Sequence, residues 1–192
     1  MAEIRPKRCK MCGDSFLPTK PLQRVCGPSC AFKDARQKRL DKESKALRVD
    51  DRRRKVDMRT VGDWKKLVQA EFNRFIRNRD HFLPCVSCHT ANPKYTGRGG
   101  AWDCGHYLSR GARPELRFEE LNCAKQCKKC NSFGSGRIQD YRIELIIRIG
   151  QDKVDWLEGP HPAKQYTKAD LIELLAVYKA KAKANTPEIV SI

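Results

Sequence analysis

Asp103 and His106 stand close together in "AWDCGHYLSRG", in a chain with only four histidines. A neutral imidazole near pH 7 can take a proton from water. A carboxylate can hold a divalent cation that stabilises a leaving oxygen. The pair therefore has the residue types needed to hydrolyse a phosphodiester. Read more plainly, His106 is a zinc ligand or a hydrogen-bonded core residue, because cysteine pairs flank it on both sides. On a flat strand Asp103 and His106 would face opposite ways. A bulge at Gly105 is expected to restore a shared face; without one, Asp103 loses standing and His106 becomes a metal-ligand candidate.

Eight of the ten cysteines form four close pairs. Cys9 and Cys12 precede Cys26 and Cys30 by 13 residues, and Cys85 and Cys88 precede Cys127 and Cys130 by 38. Two such quartets of thiolates suit two tetrahedral Zn²⁺ ions with no open coordination position, which makes both ions structural. The bland reading of the first quartet is four free thiols in a loop-rich segment. Gly13, after Cys12, tolerates the backbone angle a tight cysteine turn needs. Cys104 and Cys123 are left over, and either could replace a member of the second quartet.

These groups need elements to position them. Residues 1–32 read as a four-cysteine finger. Residues 33–62 are charge-dense with few apolar side chains, a solvated helix or a partly disordered connector. Over 63–79, Trp64, Leu67, Val68, Phe72, Phe75 and Ile76 recur at helical spacing, with Asp63 as N-cap. Residues 80–135 are short, irregular and rich in Cys, Gly and Pro. "RIQDYRIELIIRIG" places Ile138, Tyr141, Leu145 and Ile149 on one helical face and stops at Gly150. "TKADLIELLAVYKAKAKA" opens with Thr167 and Asp170 in capping-box spacing and is expected to bury Leu171, Leu174, Leu175 and Tyr178. The fold class is small α+β, with a main domain over 63–185 and a tail over 186–192.

Forty Lys and Arg against 23 Asp and Glu give a net charge of +17. Residues 1–60 hold 18 basic and 8 acidic residues, a net of +10. So large an excess favours a polyanionic partner, nucleic acid first, through counterion release. Arg110, Arg113 and Arg117 lie just past His106, and Arg98 sits among glycines. Arg36 and Arg39, with Lys7, Arg8, Lys10 and Lys38, surround the finger. Guanidinium forks match phosphate oxygens; solubility alone is the competing explanation. No run of ~18 apolar residues would span a membrane, and the N-terminus lacks a signal-peptide core. A reducing cytoplasm is expected, where paired cysteines are metal ligands rather than disulfides.

"PCVSC", "DCGH" and "ELNCAKQCKKCN" resemble the HNH, or ββα-metal, nucleases over about residues 83–135. The order of parts across nearly the whole chain, including "WDCGHYLSRG" and "YRIELIIRIG", more closely resembles the NinG (Rap) recombination proteins of lambda-type phages. The resemblance implies a treble-clef-like N-terminal finger and a zinc-stapled ββα core. It also implies structure-selective cutting of branched DNA such as D-loops and four-way junctions. On that reading His106 is the general base. Asp103 and Asn131 hold one catalytic Mg²⁺ or Mn²⁺, and Asn122 braces the loop or orients His106. Duplex or branched DNA, a second copy in a homodimer and other phage recombination proteins are the implied partners. In much of the HNH family the acidic residue adjoins the catalytic His, and a final His stands where this chain has Asn131. A non-catalytic two-zinc nucleic-acid adaptor with a decayed site is the alternative, and a protein-interaction scaffold is a third class.

Overall fold

The computed structural model describes residues 5–95, 97 and 99–187, and the chain divides into two compact units at Met58/Arg59. Arg98 lies outside the described residues.

In the first unit β1 (Lys7–Arg8) and β2 (Ser15–Phe16) form a short antiparallel ribbon. Their turn is closed by the Gly13 N–H, which donates to Cys9 O at 2.9 Å, with Gly13 at φ 80°. That left-handed angle is the reason for a glycine there. α1 (Pro28–Asp57) opens with proline in its first turn and runs 30 residues, about 45 Å at 1.5 Å per residue. The charged connector is thus helical. It also begins earlier than the 32/33 boundary, because Cys30 sits in its first turn. Cys30 is also the one residue of α1 that is buried. A helix with no apolar face relies on its own surface pairs, here Lys38–Asp34 at 2.6 Å and Arg54–Asp50 at 3.3 Å. Such exposed pairs stabilise a helix only weakly.

The second unit begins with α2 (Val61–Arg79). Its N-cap is Thr60, not Asp63. Asp63 is three residues inside, and the two side chains bond each other's backbone N–H groups. The sequence pattern fits either position, since both residue types cap helices; the Thr60 side chain wins because Asp63 completes the reciprocal box. α2 buries Trp64, Val68, Phe72, Phe75 and Ile76.

β3 (Trp102–His106) and β4 (Cys123–Cys127) form an antiparallel hairpin. A wide π-type turn, Lys129–Phe133, follows directly. Then come α3 (Ile138–Ile149), α4 (Gln151–Glu158) and α5 (Lys168–Ala184). α5 carries the expected Thr167–Asp170 capping box. It lies along α2, with Phe72 and Tyr178 edge-on at 4.9 Å and the Asn78 amide donating to Ala182 O at 2.8 Å. Leu171 and Tyr178 are buried, whereas Leu174 and Leu175 are only half-buried.

On the far side of the hairpin Tyr107, Ala124, Tyr141, Leu145, Val154 and Leu157 form one apolar cluster. Within it, Tyr141 Oη donates to Gly105 O at 3.0 Å. The hairpin is therefore held between α2 on one face and α3 and α4 on the other, with α5 packed on α2. The architecture is small α+β, with two small antiparallel sheets. No described helix is long and apolar enough to cross a membrane.

The expected bulge is absent. Register runs unbroken from Trp102 opposite Cys127 to His106 opposite Cys123. Gly105 has a different cause. A Cβ there would collide with Gln126 Oε1 and lie 2.9 Å from Gln126 Cβ. Gln126 cannot retreat, because its amide donates to Ser87 Oγ at 2.6 Å and to Gly136 O at 2.7 Å.

Candidate functional site

Both cysteine quartets come together, each within its own unit. Cys12–Cys26 and Cys26–Cys30 sulfurs are 3.6 Å apart, and Cys88–Cys127 sulfurs 3.7 Å. Disulfide sulfurs lie about 2.05 Å apart. Sulfurs around one tetrahedral zinc, at Zn–S of about 2.3 Å, lie about 3.8 Å apart. The donor sets therefore fit a soft cation and can hold zinc.

Backbone N–H groups support them: Cys26 N reaches Cys9 Sγ and Cys127 N reaches Cys85 Sγ, each at 3.3 Å. The Cys9 thiol is held down at about 6, first by a backbone bond from Cys12. At Cys85 burial pushes the thiol up, but N–H groups of Cys127, Ser87 and Cys88 outweigh it and leave it lowered. The Cys9/Cys12 and Cys85/Cys88 turns share one geometry. Gly13 and His89 each follow the second cysteine, each at positive φ (80° and 55°), and each donates its N–H to the first cysteine's carbonyl at 2.9 Å.

Asp103 and His106 project from opposite faces of β3, as alternation requires of an unbulged strand. They nevertheless border one cleft of about 490 Å³. Its wall includes Asn73 and Arg77 from α2, Ser109 and Arg110 after β3, and Lys128, Asn131 and Ser132 around the π-type turn. A shared face is not required for a shared cleft.

The His106 Nε2 lies 3.1 Å from Arg117 O. A carbonyl only accepts, so Nε2 carries the proton and Nδ1 keeps its lone pair. The ring is tilted against Phe72, with centroids 6.2 Å apart. Burial first, then the charges of Arg110 and Arg117, outweigh the carbonyl bonds and lower His106 to about 4. The imidazole is neutral at pH 7.

Asp103 is held below the ordinary carboxylate range. Burial opposes this, but Asn131, Lys128 and Ser132 outweigh it. Asn131 Nδ2 donates at 2.9 Å, Lys128 Nζ at 2.9 Å and Ser132 Oγ at 3.3 Å. Carboxylate and hydroxyl oxygens thus converge, and oxygen donors suit a hard cation; the Asn131 amide meets Asp103 through its N–H and would turn its oxygen inward only when a cation replaces that bond. The Lys128 ammonium already balances the Asp103 charge there.

Asn122 is fully buried. Its amide donates to Leu108 O at 3.0 Å and Leu116 O at 3.3 Å, and its Oδ1 accepts from Leu108 N at 2.9 Å. These bonds tie together the loop that delivers Arg117 O to His106.

The basic residues divide. Arg110 is exposed at the cleft. Arg36 and Arg39 are exposed on α1 in the first unit. Arg113 is engaged elsewhere, with Glu115 at 2.5 Å and Gly159 O at 2.6 Å. Arg117 is half-buried beside Phe118 and serves His106 through its carbonyl. Lys125 is buried, donating to His81 O at 2.6 Å. Asn73, Arg77, Ser109 and Lys128 are cleft residues that sequence reasoning did not single out. The helical period of α2 placed Phe72 and Ile76 inward but gave no sign that the neighbouring Asn73 and Arg77 would meet β3.

The chain matches the family described as Bacteriophage Lambda NinG protein over residues 1–188. It is 36% identical over 199 residues to Protein ninG of Escherichia phage lambda and 35% over 199 residues to Protein ninG of Salmonella phage P22. Each alignment covers 95% of both chains. Protein ninG of Escherichia phage 933W is 34% identical over 197 residues, again at 95% coverage of each. No solved structure matches significantly. The chain belongs to the NinG family.

Proposed function

We propose that this protein is a metal-dependent endonuclease that cuts branched DNA, such as D-loops and four-way junctions, from an HNH-like site. The observation that carries the reading is one cleft with two complementary parts. One is a neutral imidazole whose Nε2 is fixed on Arg117 O, which leaves Nδ1 as its basic nitrogen. The other is an ionised Asp103 joined to Asn131. Two zinc ions in the cysteine quartets pin the treble-clef-like finger and the ββα core that carries the cleft.

Asp103 and Asn131 would hold one Mg²⁺ or Mn²⁺, which supplies charge stabilisation for the leaving oxygen. His106 takes a proton from the attacking water at Nδ1, and the imidazolium charge that develops is shared with Arg117 O through Nε2–H. Asn122 keeps that carbonyl in place. Arg110, and Arg77 across the cleft, offer guanidinium groups to the phosphate backbone, which positions DNA without reading sequence. The exposed basic residues of α1 add sequence-independent attraction. A junction offers two strands for cutting, so a homodimer, or assembly with other phage recombination proteins, suits the substrate.

The adaptor reading rests on the Lys128–Asp103 contact, which neutralises the carboxylate without a metal. A cleavage panel decides between the two. Linear duplex, flap, D-loop and four-way junction are incubated with and without Mg²⁺ or Mn²⁺. Cleavage of branched substrates only with the metal is expected. Retardation of the same DNAs without cleavage under any metal would leave the adaptor.

A further inference from the structure

Cys104 and Cys123 belong to neither quartet. They are buried on the hairpin face that carries His106, and one ring nitrogen and both sulfurs lie within 4.8 Å of one another. Register explains the grouping. Cys123 is directly opposite His106, and Cys104 is two residues earlier on the same face. Two thiols and an imidazole form a soft donor set that suits Zn²⁺ and does not suit Mg²⁺. Such donors around one zinc lie about 3.6–3.8 Å apart, at metal distances of about 2.3 Å for sulfur and 2.0 Å for nitrogen. Closing the cluster onto an ion therefore takes shifts on the order of 1 Å. Cys104 and His106 both border the cleft, which gives an ion a route in.

We propose that Cys104, Cys123 and His106 form a third zinc site, distinct from the two quartets, and that its occupation withdraws His106 from proton transfer. Binding converts two thiols to thiolates and releases two protons, with no change of oxidation state. The Nδ1 lone pair is the one His106 has to give, since Nε2 is committed to Arg117 O. It serves a soft cation or a water proton, but not both at once. Zinc in excess thus switches off a centre that a hard cation switches on. The inhibitory half rests on the endonuclease reading; the binding half does not.

Full-length protein is reduced with a phosphine and titrated with Zn²⁺, and bound zinc is counted by native mass spectrometry. Wild type is expected to take three ions, and Cys123→Ala and His106→Ala two each. Co²⁺ titration gives a second readout: the third ion carries two sulfur ligands rather than four, so its charge-transfer absorption per ion is lower. If Cys123→Ala loses helical circular dichroism, Cys104→Ser replaces it in the count. In the cleavage assay added Zn²⁺ is expected to slow Mg²⁺-supported cutting by wild type about 10²-fold, the scale of a lost general base. Cys123→Ala should be largely spared. A wild-type count of two at saturating Zn²⁺, or three ions in both cysteine variants, overturns the site. Three ions in a wild type that never cuts DNA would leave the site standing and remove the endonuclease reading.

Discussion

The Nε2 of His106 is fixed 3.1 Å from the carbonyl oxygen of Arg117, eleven residues along the chain. That contact decides which nitrogen of the ring is basic, and Asn122 decides where the carbonyl stands. His106→Ala is expected to lower metal-dependent cleavage by about 10²–10⁴-fold while leaving junction retardation near wild type. Loss of DNA binding in step with cleavage would show that the ring supports the fold rather than the reaction.

Asn131 touches Asp103 but not His106 among its side-chain bonds. Asn131→Ala should raise the Mg²⁺ concentration for half-maximal cleavage by about 10–100-fold, with a smaller change in rate at saturating metal. A metal-titration curve checks this. An unchanged midpoint would remove Asn131 from the ligand set.

Gly105→Ala tests the crowding over β3. The new methyl meets Gln126, which Ser87 and Gly136 hold in place. A loss of about 1–3 kcal/mol is expected in denaturant unfolding, the usual range for overpacking. A neutral result would mean that Gln126 can swing clear.

His89 adopts a positive φ that Gly13 adopts in the matching turn. A side chain costs about 1 kcal/mol in that region. Its ring is mostly exposed and stands 3.6 Å from Glu144, which is already paired with Arg148, so the contact offsets little. His89→Gly is expected to leave stability unchanged or raise it by up to about 1 kcal/mol, read from the thermal midpoint of zinc-loaded protein.

Alkaline titration supplies a pH test away from the thiols of the quartets. Burial and then Glu158 raise the Tyr107 phenol to about 12, and burial also raises Tyr141, Tyr166 and Tyr178. The unfolded chain ionises its tyrosines near pH 10. The folded chain holds the protons longer, so this stability is complete below pH 10 and is lost as pH rises towards 12. Absorbance at 295 nm should show these four phenolates appearing late, together with unfolding.

Much of this was legible in residue spacing. Cysteine intervals marked both quartets, and helical period marked α2, α3 and α5. Asp63 was read as the cap, three residues too far along, because Thr60 fits the role equally well by type. The eight residues of α4 follow directly on a glycine stop, too short a run for a period to register. Gly105 was misread because a glycine in a strand looks the same whether it permits a bulge or makes room for a side chain from the neighbouring strand. The joining of Asp103 and His106 in one cleft is set by the edge of β3 and by α2, a tertiary fact that no local pattern carries. Lys128 as counter-charge to Asp103 is of the same kind.

The two sulfur quartets also differ in shelter. Cys12 and Cys26 are exposed, whereas Cys85, Cys127 and Cys130 are almost wholly covered. Oxidants and chelators in solution therefore reach the N-terminal unit first. Damage is expected to take the basic arm first, and on the endonuclease reading an aged sample would still cut DNA while holding it less well.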